Sequence, residues 1–327
     1  MAARKTFRTD ASIAPPAHRA GCGCARHARR RFGGLLLGGA ALATLPARGQ
    51  SDPECQRSQF TGLASAQQIE QSAGQQYRSM LQQASSQRAL GPMDHPQVKR
   101  LRYIADRIIP FTPACNPRAR EWKWEVNLLG SNELNAFCMP GGKIAFYWGI
   151  LVKLQLSDDE VAQIMGHEIS HALLEHARER VGKTAVTQGA IELGSALLGL
   201  GGLGRTAANY GGQLLTLTFS REDESQADAL GLLLAARAGY DPRAGITLWQ
   251  KMLAANKNAP PQWLSTHPSG ETRIRDLQAR QARVEPIYAQ AAKPDRQFGP
   301  PAARRADATA EPRQSSDPGD AAAGSRR

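Results

Sequence analysis

No apolar run in this sequence is long enough to cross a membrane. The two longest candidates, 33–45 and 193–203, span thirteen and eleven residues, whereas a membrane-spanning helix needs about 20. Repeats of solenoid period are also absent, which excludes a repeat-protein scaffold. The sequence therefore predicts no stable membrane span, and it leaves peripheral association with a membrane open.

Cysteine is scarce as well. Only five of the 327 residues are cysteines, and three of them, Cys55, Cys115 and Cys138, follow residue 49. Their spacing does not fit a thiolate zinc site. Because Cys55 and Cys115 flank the expected folded body and Cys138 belongs to an expected strand, we predict a Cys55–Cys115 disulfide with Cys138 left over.

The folded body lacks an excess of charge of one sign. The net charge is +12, but residues 1–49 hold nine Lys and Arg against one acid, and the tail from Lys293 holds seven basic against five acidic residues. The region between them carries only +2. A body this close to neutral offers no basic stripe for phosphates, so the sequence argues against nucleic-acid binding.

The basic N-terminus has the pattern of an export signal over 1–49. Arg29-Arg30-Arg31 precedes an apolar, glycine-rich run and then small residues, which is typical of a cleaved signal. The paired arginines resemble a twin-arginine signal, with Sec export as the alternative. We therefore expect a periplasmic protein. A polar helical lead-in is expected over 50–95, and a disordered tail over 293–327.

Hydrophobic periodicity predicts a helix-rich α+β domain over 96–292. Residues 98–109 show helical spacing stopped by Pro110, whereas 122–128 alternates apolar and polar residues as a strand does. Two further strands are expected on either side of the turn Pro140-Gly141-Gly142. Ser157 and Glu160 form the capping-box pattern that opens a helix. The expected helices after this sheet cover 157–180, 214–238, 242–255 and 270–291.

The first of these helices contains Gly166-His-Glu-Ile-Ser-His171. Residues four apart lie on one helical face, so His167 and His171 can bind one zinc ion at about 2.0–2.1 Å. Glu168 points to the side where a water on the metal would lie, and its carboxylate can take a proton from that water. This pattern predicts a metal-dependent hydrolase.

The third ligand must come from outside this motif. The position at which another zinc peptidase pattern would have a histidine holds Ala177. His176 would lie half a turn round a continuous helix, which predicts a packed or hydrogen-bonded histidine rather than a ligand. A glutamate on a later helix is therefore expected. Glu224 and Asp228 are four apart, so Glu224 can ligate while Asp228 accepts a hydrogen bond from a ligand histidine; Glu222 is the rival ligand.

These motifs together resemble the HtpX-like and CAAX-prenyl-protease-like family of zinc peptidases, especially its soluble periplasmic BepA-like branch. The resemblance implies a gluzincin fold with a small sheet beside the active-site helix, and one Zn²⁺ per chain. It also implies an edge strand near Asn135, Ala136 and Phe137 that aligns the substrate backbone. The matching segments are 135–142, 166–171, 220–228 and 265–274.

The sequence departs from the family in two respects. HtpX-like members carry transmembrane helices and BepA-like members continue into helical repeats, and neither feature is visible here. His267 lies in the family motif Ser265-Thr-His-Pro268, which is found beside the metal. Its imidazole could stabilise the oxyanion, worth about 2.7–4 kcal/mol, or bind zinc as a fourth ligand and keep the enzyme latent. A surface histidine without a role is the remaining alternative.

The resemblance implies a zinc-dependent endopeptidase that cleaves misfolded or surplus envelope proteins. A chaperone-like holdase with a latent or regulatory zinc site is the alternative. An intact Glu168 argues against the holdase, because a structural metal site needs no base. A prenyl-peptide protease is disfavoured because the sequence shows no membrane core.

Overall fold

The computed structural model describes residues 53–197, 218–255, 262–267 and 271–302. The expected export signal, most of the apolar segment 193–203 and the last 25 residues of the expected tail lie outside these ranges. None of the described helices combines the length and the apolar character that a membrane-spanning segment requires.

Helices dominate the described part of the chain, and three short strands form one sheet. The helices are α1 (Ala66–Ser86), α2 (Pro96–Ile108), α3 (Trp148–Lys153), α4 (Asp158–Leu173), α5 (His176–Leu197), α6 (Arg221–Arg237), α7 (Ala244–Ala255), α8 (Gln262–Thr266) and α9 (Glu271–Gln290). The strands are β1 (Glu125–Leu129), β2 (Ala136–Met139) and β3 (Lys143–Tyr147).

The sheet has the order β1-β3-β2, with β1 parallel and β2 antiparallel to β3. The turn between β2 and β3 uses positive φ angles of 85° at Gly141 and 76° at Gly142, which glycine adopts without steric cost. Strand β2 packs against α4. The predicted α+β class, a helix-rich domain with a small sheet beside the motif helix, is confirmed.

Helix α4 runs through the centre of the core. Ser157 and Glu160 cap its N-terminus reciprocally, as the sequence predicts. Every residue from Glu160 to Leu173 is buried, because α4 is covered by α2, α6, α7 and β2. Polar side chains in this helix must therefore find partners inside the protein.

Helix α4 ends earlier than the predicted boundary near residue 180. It stops at Leu173, and Glu175 adopts a left-handed conformation with φ of 61°. The side chain of Asn116 donates a hydrogen bond to the Leu173 carbonyl at 3.0 Å. This bond satisfies one of the carbonyl groups that have no partner within the helix at its C-terminus. Arg178 pairs with Glu175 at 2.8 Å. A new helix, α5, then begins at His176.

Other boundaries also differ from the predictions. Helix α6 begins at Arg221, because Ser220 and Asp223 form a second capping box, and the short helices α3 and α8 were not predicted. Residues 293–302, expected to be disordered, lie against the body. The backbone N–H groups of Phe298 and Gly299 donate to Asp158 at 2.7 and 3.1 Å. Backbone hydrogen bonds to a partly buried carboxylate thus fix a segment whose composition suggests disorder.

A disulfide joins Cys55 to Cys115, so the predicted pairing is confirmed. It ties the segment before α1 to the loop after α2. Cys138 is a buried free cysteine.

Candidate active site

Helix α4 places two imidazoles side by side, and one of them, His171, lines a cleft. The Nε2 atoms of His167 and His171 lie 3.1 Å apart, and the two residues are 4% and 3% exposed. Burial lowers the pKa of both rings. They are therefore neutral near pH 7, which is the form that binds metal ions.

Helix α6 brings Glu224 to the same point. Its Oε1 lies 3.5 Å from the Nε2 of His171, and its Oε2 lies 3.5 Å from the Nε2 of His167. Glu224 is 1% exposed, whereas Glu222, the rival ligand, is exposed. The structure therefore places Glu224 rather than Glu222 beside the two histidines.

His267, at the end of α8, completes this group. Its Nδ1 lies 2.9 Å from Glu224 Oε1 and 3.2 Å from His167 Nε2. Four ligand atoms arranged tetrahedrally at about 2.0–2.1 Å from zinc are separated from one another by about 3.3 Å. The separations of 2.9 to 3.5 Å in this group bracket that value. The donor set of three imidazoles and one carboxylate therefore fits a divalent metal such as zinc.

Glu168 faces the cleft one residue after His167. The indole Nε1–H of Trp263 donates to its Oε1 at 2.6 Å, and the Nε2 of His267 lies 3.6 Å from the same oxygen. Burial raises the pKa of Glu168 well above its usual range, and the Trp263 hydrogen bond opposes that shift. Trp263 thus holds the Glu168 carboxyl group in place, and a cation bound to the neighbouring donor set would favour its ionised form, the form that can accept a proton. The role of Trp263 was not predicted.

Asp228 and Arg273 form hydrogen bonds to members of this donor set and hold their side chains in place. Asp228 Oδ1 lies 3.0 Å from the Nδ1 of His167. Arg273 donates to Asp228 Oδ2 at 2.7 Å and Oδ1 at 2.6 Å, and to Glu224 Oε2 at 2.5 Å. Its guanidinium also stacks 3.8 Å from the Trp249 ring centroid. Arg273 thus fixes both carboxylates, a role that sequence reasoning missed although Arg273 lies in one of the matching segments.

The two carboxylates differ in proton affinity. Burial raises the pKa of Asp228, but the Arg273 charge and the hydrogen bonds from His167 and Arg273 outweigh it, and the net shift is downward. Burial raises the pKa of Glu224 to about 7 against the lowering effects of His167 and Arg273. A bound cation favours the ionised form, so metal binding to Glu224 would reverse this shift.

His176 lies much closer to the donor set than a continuous helix would allow. The break after Leu173 places its Nδ1 2.8 Å from the Nδ1 of His171. Its Nε2 lies 3.2 Å from Gln226 Oε1, and the residue is 2% exposed. The expectation of a hydrogen-bonded histidine outside the ligand set agrees with this placement, but the reason given for it, half a turn of one helix, was wrong.

The cleft lies between α4 and the open edge of β2, the edge that no strand within the described ranges pairs with. Its walls include Asn135, Ala136 and Phe137 from the predicted substrate-aligning strand, together with Cys138. Tyr147 donates its backbone N–H to the Asn135 carbonyl at 3.0 Å. Because alternate residues of a strand bond to opposite sides, the backbone groups of Ala136 and Cys138 point away from β3, toward the open edge.

The comparisons with known proteins agree with this geometry. The model of "Peptidase family M48" matches residues 97–281. The chain is 34% identical over 190 residues to mitochondrial metalloendopeptidase OMA1 of Schizosaccharomyces pombe and 39% identical over 154 residues to that of Arabidopsis thaliana. It is 30% identical over 176 residues to the β-barrel assembly-enhancing protease of Escherichia coli.

These relatives contradict the predicted periplasmic location. The two OMA1 proteins are mitochondrial by name, and the bacterial relative is more distant in identity. The prediction was wrong because it depended on an N-terminal pattern outside the described residues and on one branch of the family. Because mitochondrial and bacterial proteins both match this chain, membership of the family carries no information on location.

The family match extends over more than half of the chain. The alignments cover 57%, 47% and 51% of this chain, and 54%, 31% and 36% of the S. pombe, A. thaliana and E. coli proteins respectively. The chain thus spans about half or less of the length of these curated relatives. The matched range contains α4, α6 and Arg273, which build the site, and the chain belongs to peptidase family M48.

Proposed function

We propose that this chain is a zinc-dependent endopeptidase. The observation that carries the proposal is the buried donor set of His167, His171 and Glu224 with the carboxylate of Glu168 beside it, next to a cleft that Glu168 and His171 line. Two imidazoles and one carboxylate form a ligand set found in catalytic zinc sites, and a fourth position then serves water or substrate. The proposed peptidase domain is 96–292, with 50–95 as its helical lead-in.

The residues around the donor set have separate roles in the proposed hydrolysis. Zinc, when bound, supplies a water of lowered pKa, about 7, and polarises the scissile carbonyl. Glu168 takes the proton of the attacking water and delivers it to the leaving amine. Trp263 holds the Glu168 carboxylate in place, and Asp228 fixes the ring of His167. No covalent intermediate is needed.

The open edge of β2 supports binding of an extended substrate segment. The backbone groups of Ala136 and Cys138 face that edge, with the Ala136 N–H donating to Asn135 Oδ1 at 2.9 Å. The carbonyl of Ala136 and the backbone groups of Cys138 therefore support addition of a peptide to the sheet as a further strand. Asn135 and Phe137, which were expected to share this role, direct their backbone groups toward β3. The Asn135 side chain accepts from the Ala136 N–H, and the Phe137 ring packs against Tyr77 and Tyr147. A folded substrate must expose an extended segment to bind here, which favours poorly folded proteins.

We therefore propose misfolded or surplus envelope proteins as the substrate class. The name of the E. coli relative refers to assembly of β-barrel proteins, and β-strands that fail to assemble expose extended segments of this kind. The finer assignment to a BepA-like branch belongs to the same proposal and is supported by the 30% identity with that protein.

His267 supports a latent resting state within this proposal. Its Nδ1 lies where a fourth ligand would complete a tetrahedral set, 3.2 Å from His167 Nε2 and 2.9 Å from Glu224 Oε1. In this position the ring would exclude the attacking water. Rotation of the ring away from Glu224 would open the position, and the same imidazole could then donate to an oxyanion.

A holdase with a latent zinc site is the second candidate, and the position of His267 is the observation that favours it.

One experiment tests both candidates. The purified protein is incubated with unfolded casein, with and without the chelator 1,10-phenanthroline, and zinc is then restored. Cleavage that phenanthroline stops and zinc restores supports the peptidase. Suppressed aggregation without cleavage supports the holdase, and cleavage that is indifferent to the chelator contradicts both roles for zinc.

A further inference from the structure

The ring of His171 is linked to two side chains that lie outside the donor set. Its Nε2 faces the donors, while its Nδ1 lies 2.8 Å from His176 Nδ1. The far nitrogen of His176 lies 3.2 Å from Gln226 Oε1. Both rings are almost fully buried, at 3% and 2% exposure, and such burial favours their neutral forms.

Metal binding to His171 allows one arrangement of protons along the hydrogen-bonded series of His171, His176 and Gln226. A nitrogen that binds metal must offer a lone pair, so neutral His171 carries its proton on Nδ1. His171 then donates to His176 Nδ1, which accepts. Neutral His176 therefore carries its own proton on Nε2 and donates it to the amide oxygen of Gln226. Each hydrogen bond in this arrangement has one donor and one acceptor.

We propose that His176 is a positioning residue that, with Gln226, fixes the tautomer and orientation of His171. The inference rests on the proposed metal site. Asp228 with Arg273 does the same for His167, so each of these two histidines has its own support. His176 exists in this position because the chain breaks after Leu173, where Glu175 takes its left-handed conformation.

The same side chains suggest a rival arrangement. His176, Glu179 and Asp223 lie close enough to hold a cation themselves. That arrangement needs a lone pair on one ring nitrogen of His176, and both nitrogens already have partners, Nδ1 in His171 and Nε2 in Gln226. Glu179 is also paired with Lys183 at 2.5 Å, and Asp223 accepts the N-cap hydrogen bond of α6 at 2.8 Å. These contacts favour the positioning role.

A matched pair of variants separates positioning from packing. His176→Asn keeps an acceptor oxygen close to the Nδ1 position, whereas His176→Leu fills similar space without one. We expect His176→Leu to weaken zinc affinity by about 10–100-fold, as loss of such a partner does, and His176→Asn to retain affinity within a few-fold. Zinc affinity is measured by chelator competition, and thermal unfolding of the metal-free variants controls for stability. Equal affinities, or equal losses in both variants, would overturn the proposal.

Substitutions of Gln226 test the same proposal, and one of them should raise zinc affinity rather than lower it. Gln226→Glu gives His176 a stronger acceptor and should tighten zinc binding, whereas Gln226→Leu should weaken it. In the His176→Leu background both changes should have no effect, because the connection is broken. If Gln226→Glu raises zinc affinity equally in the His176→Leu background, its added charge acts on the metal site directly. That result would contradict a link from Gln226 through His176 to His171.

Nitrogen-15 NMR of the zinc-loaded protein determines which ring nitrogen of His171 and of His176 carries the proton. The expected state is a proton on Nδ1 of His171 and on Nε2 of His176. A His176 ring lacking the Nε2 proton, or two zinc ions per chain falling to one in Glu179→Gln, would assign the rival cation site and overturn the proposal. Wild-type protein that binds no zinc would instead refute the proposed function on which the inference rests.

Discussion

Gly231 of α6 lies so close to His167 of α4 that a side chain has no room between them. A Cβ atom on Gly231 would lie 2.6 Å from the backbone nitrogen of His167, and one on Gly166 would lie 2.6 Å from the Gly231 carbonyl oxygen. The backbones of the two helices are therefore in direct contact. Along α6, this contact lies about two turns from Glu224 and about one turn from Asp228. This contact sets the distance between the histidines and the carboxylates.

Replacing Gly231 by alanine tests that relationship. Alanine favours a helix over glycine by about 1 kcal/mol, but the added methyl group must push α6 away, and overpacking typically costs about 1–3 kcal/mol. We expect Gly231→Ala to lower both the free energy of unfolding and the zinc affinity. Urea unfolding and chelator competition measure these quantities.

Gly74→Ala is the matched control. Gly74 also lies inside a helix, α1, but the nearest neighbour of an added Cβ is the flexible end of Arg78 at 3.4 Å. Its stability should stay the same or rise, with zinc affinity unchanged. Equal behaviour of the two variants would show that the helix contact does not set the site.

The general base is tested by Glu168→Gln. The amide oxygen still accepts from Trp263, so fold and zinc content should persist. Cleavage of casein should fall by about 10²–10⁴-fold, because the proton acceptor is lost. Zinc analysis and peptide-release rates check this, with exposed Glu222→Gln as the control that should keep activity. Near-normal cleavage by Glu168→Gln would remove the base from the mechanism.

The third ligand is tested by comparing two glutamates of α6. Glu224→Ala removes a buried carboxylate from the donor set and leaves Arg273 short of a partner, so zinc content should drop. Glu222→Ala changes an exposed side chain and should leave zinc content unchanged. If elemental analysis gives the reverse result, the ligand is Glu222.

The two proposed roles of His267 predict opposite effects of His267→Ala. Removing a latch should speed cleavage, most of all for loosely folded substrates, and should weaken zinc binding. Removing an oxyanion donor should slow cleavage and leave zinc affinity unchanged. Because the imidazole lies at the fourth ligand position, we expect faster cleavage. Unchanged rates and unchanged zinc affinity would leave His267 without either role.

The elements of the fold that local patterns encode were predictable from the sequence. The capping box at Ser157 located the start of α4, and the alternation around 122–128 and the turn at Gly141 located the sheet. These signals depend on neighbours a few residues apart. The position of Glu224 followed from spacing along one helix in the same way.

Features that depend on tertiary contacts were not predictable. The end of α4 is bonded by Asn116, which is 57 residues away from Leu173, and a helix continued past Leu173 would place His176 away from the site. Trp263 reaches Glu168 across 95 residues of sequence. The order of 293–302 depends on Asp158, again a distant partner, so composition alone suggested disorder.

The most direct measurement locates the metal itself. Crystals of the purified protein are analysed by anomalous diffraction on both sides of the zinc absorption edge. We predict one zinc ion per chain at about 2.0–2.1 Å from His167 Nε2, His171 Nε2 and a carboxylate oxygen of Glu224. A zinc ion bound only at His176, Glu179 and Asp223, or no zinc ion in protein that cleaves casein, would contradict the account.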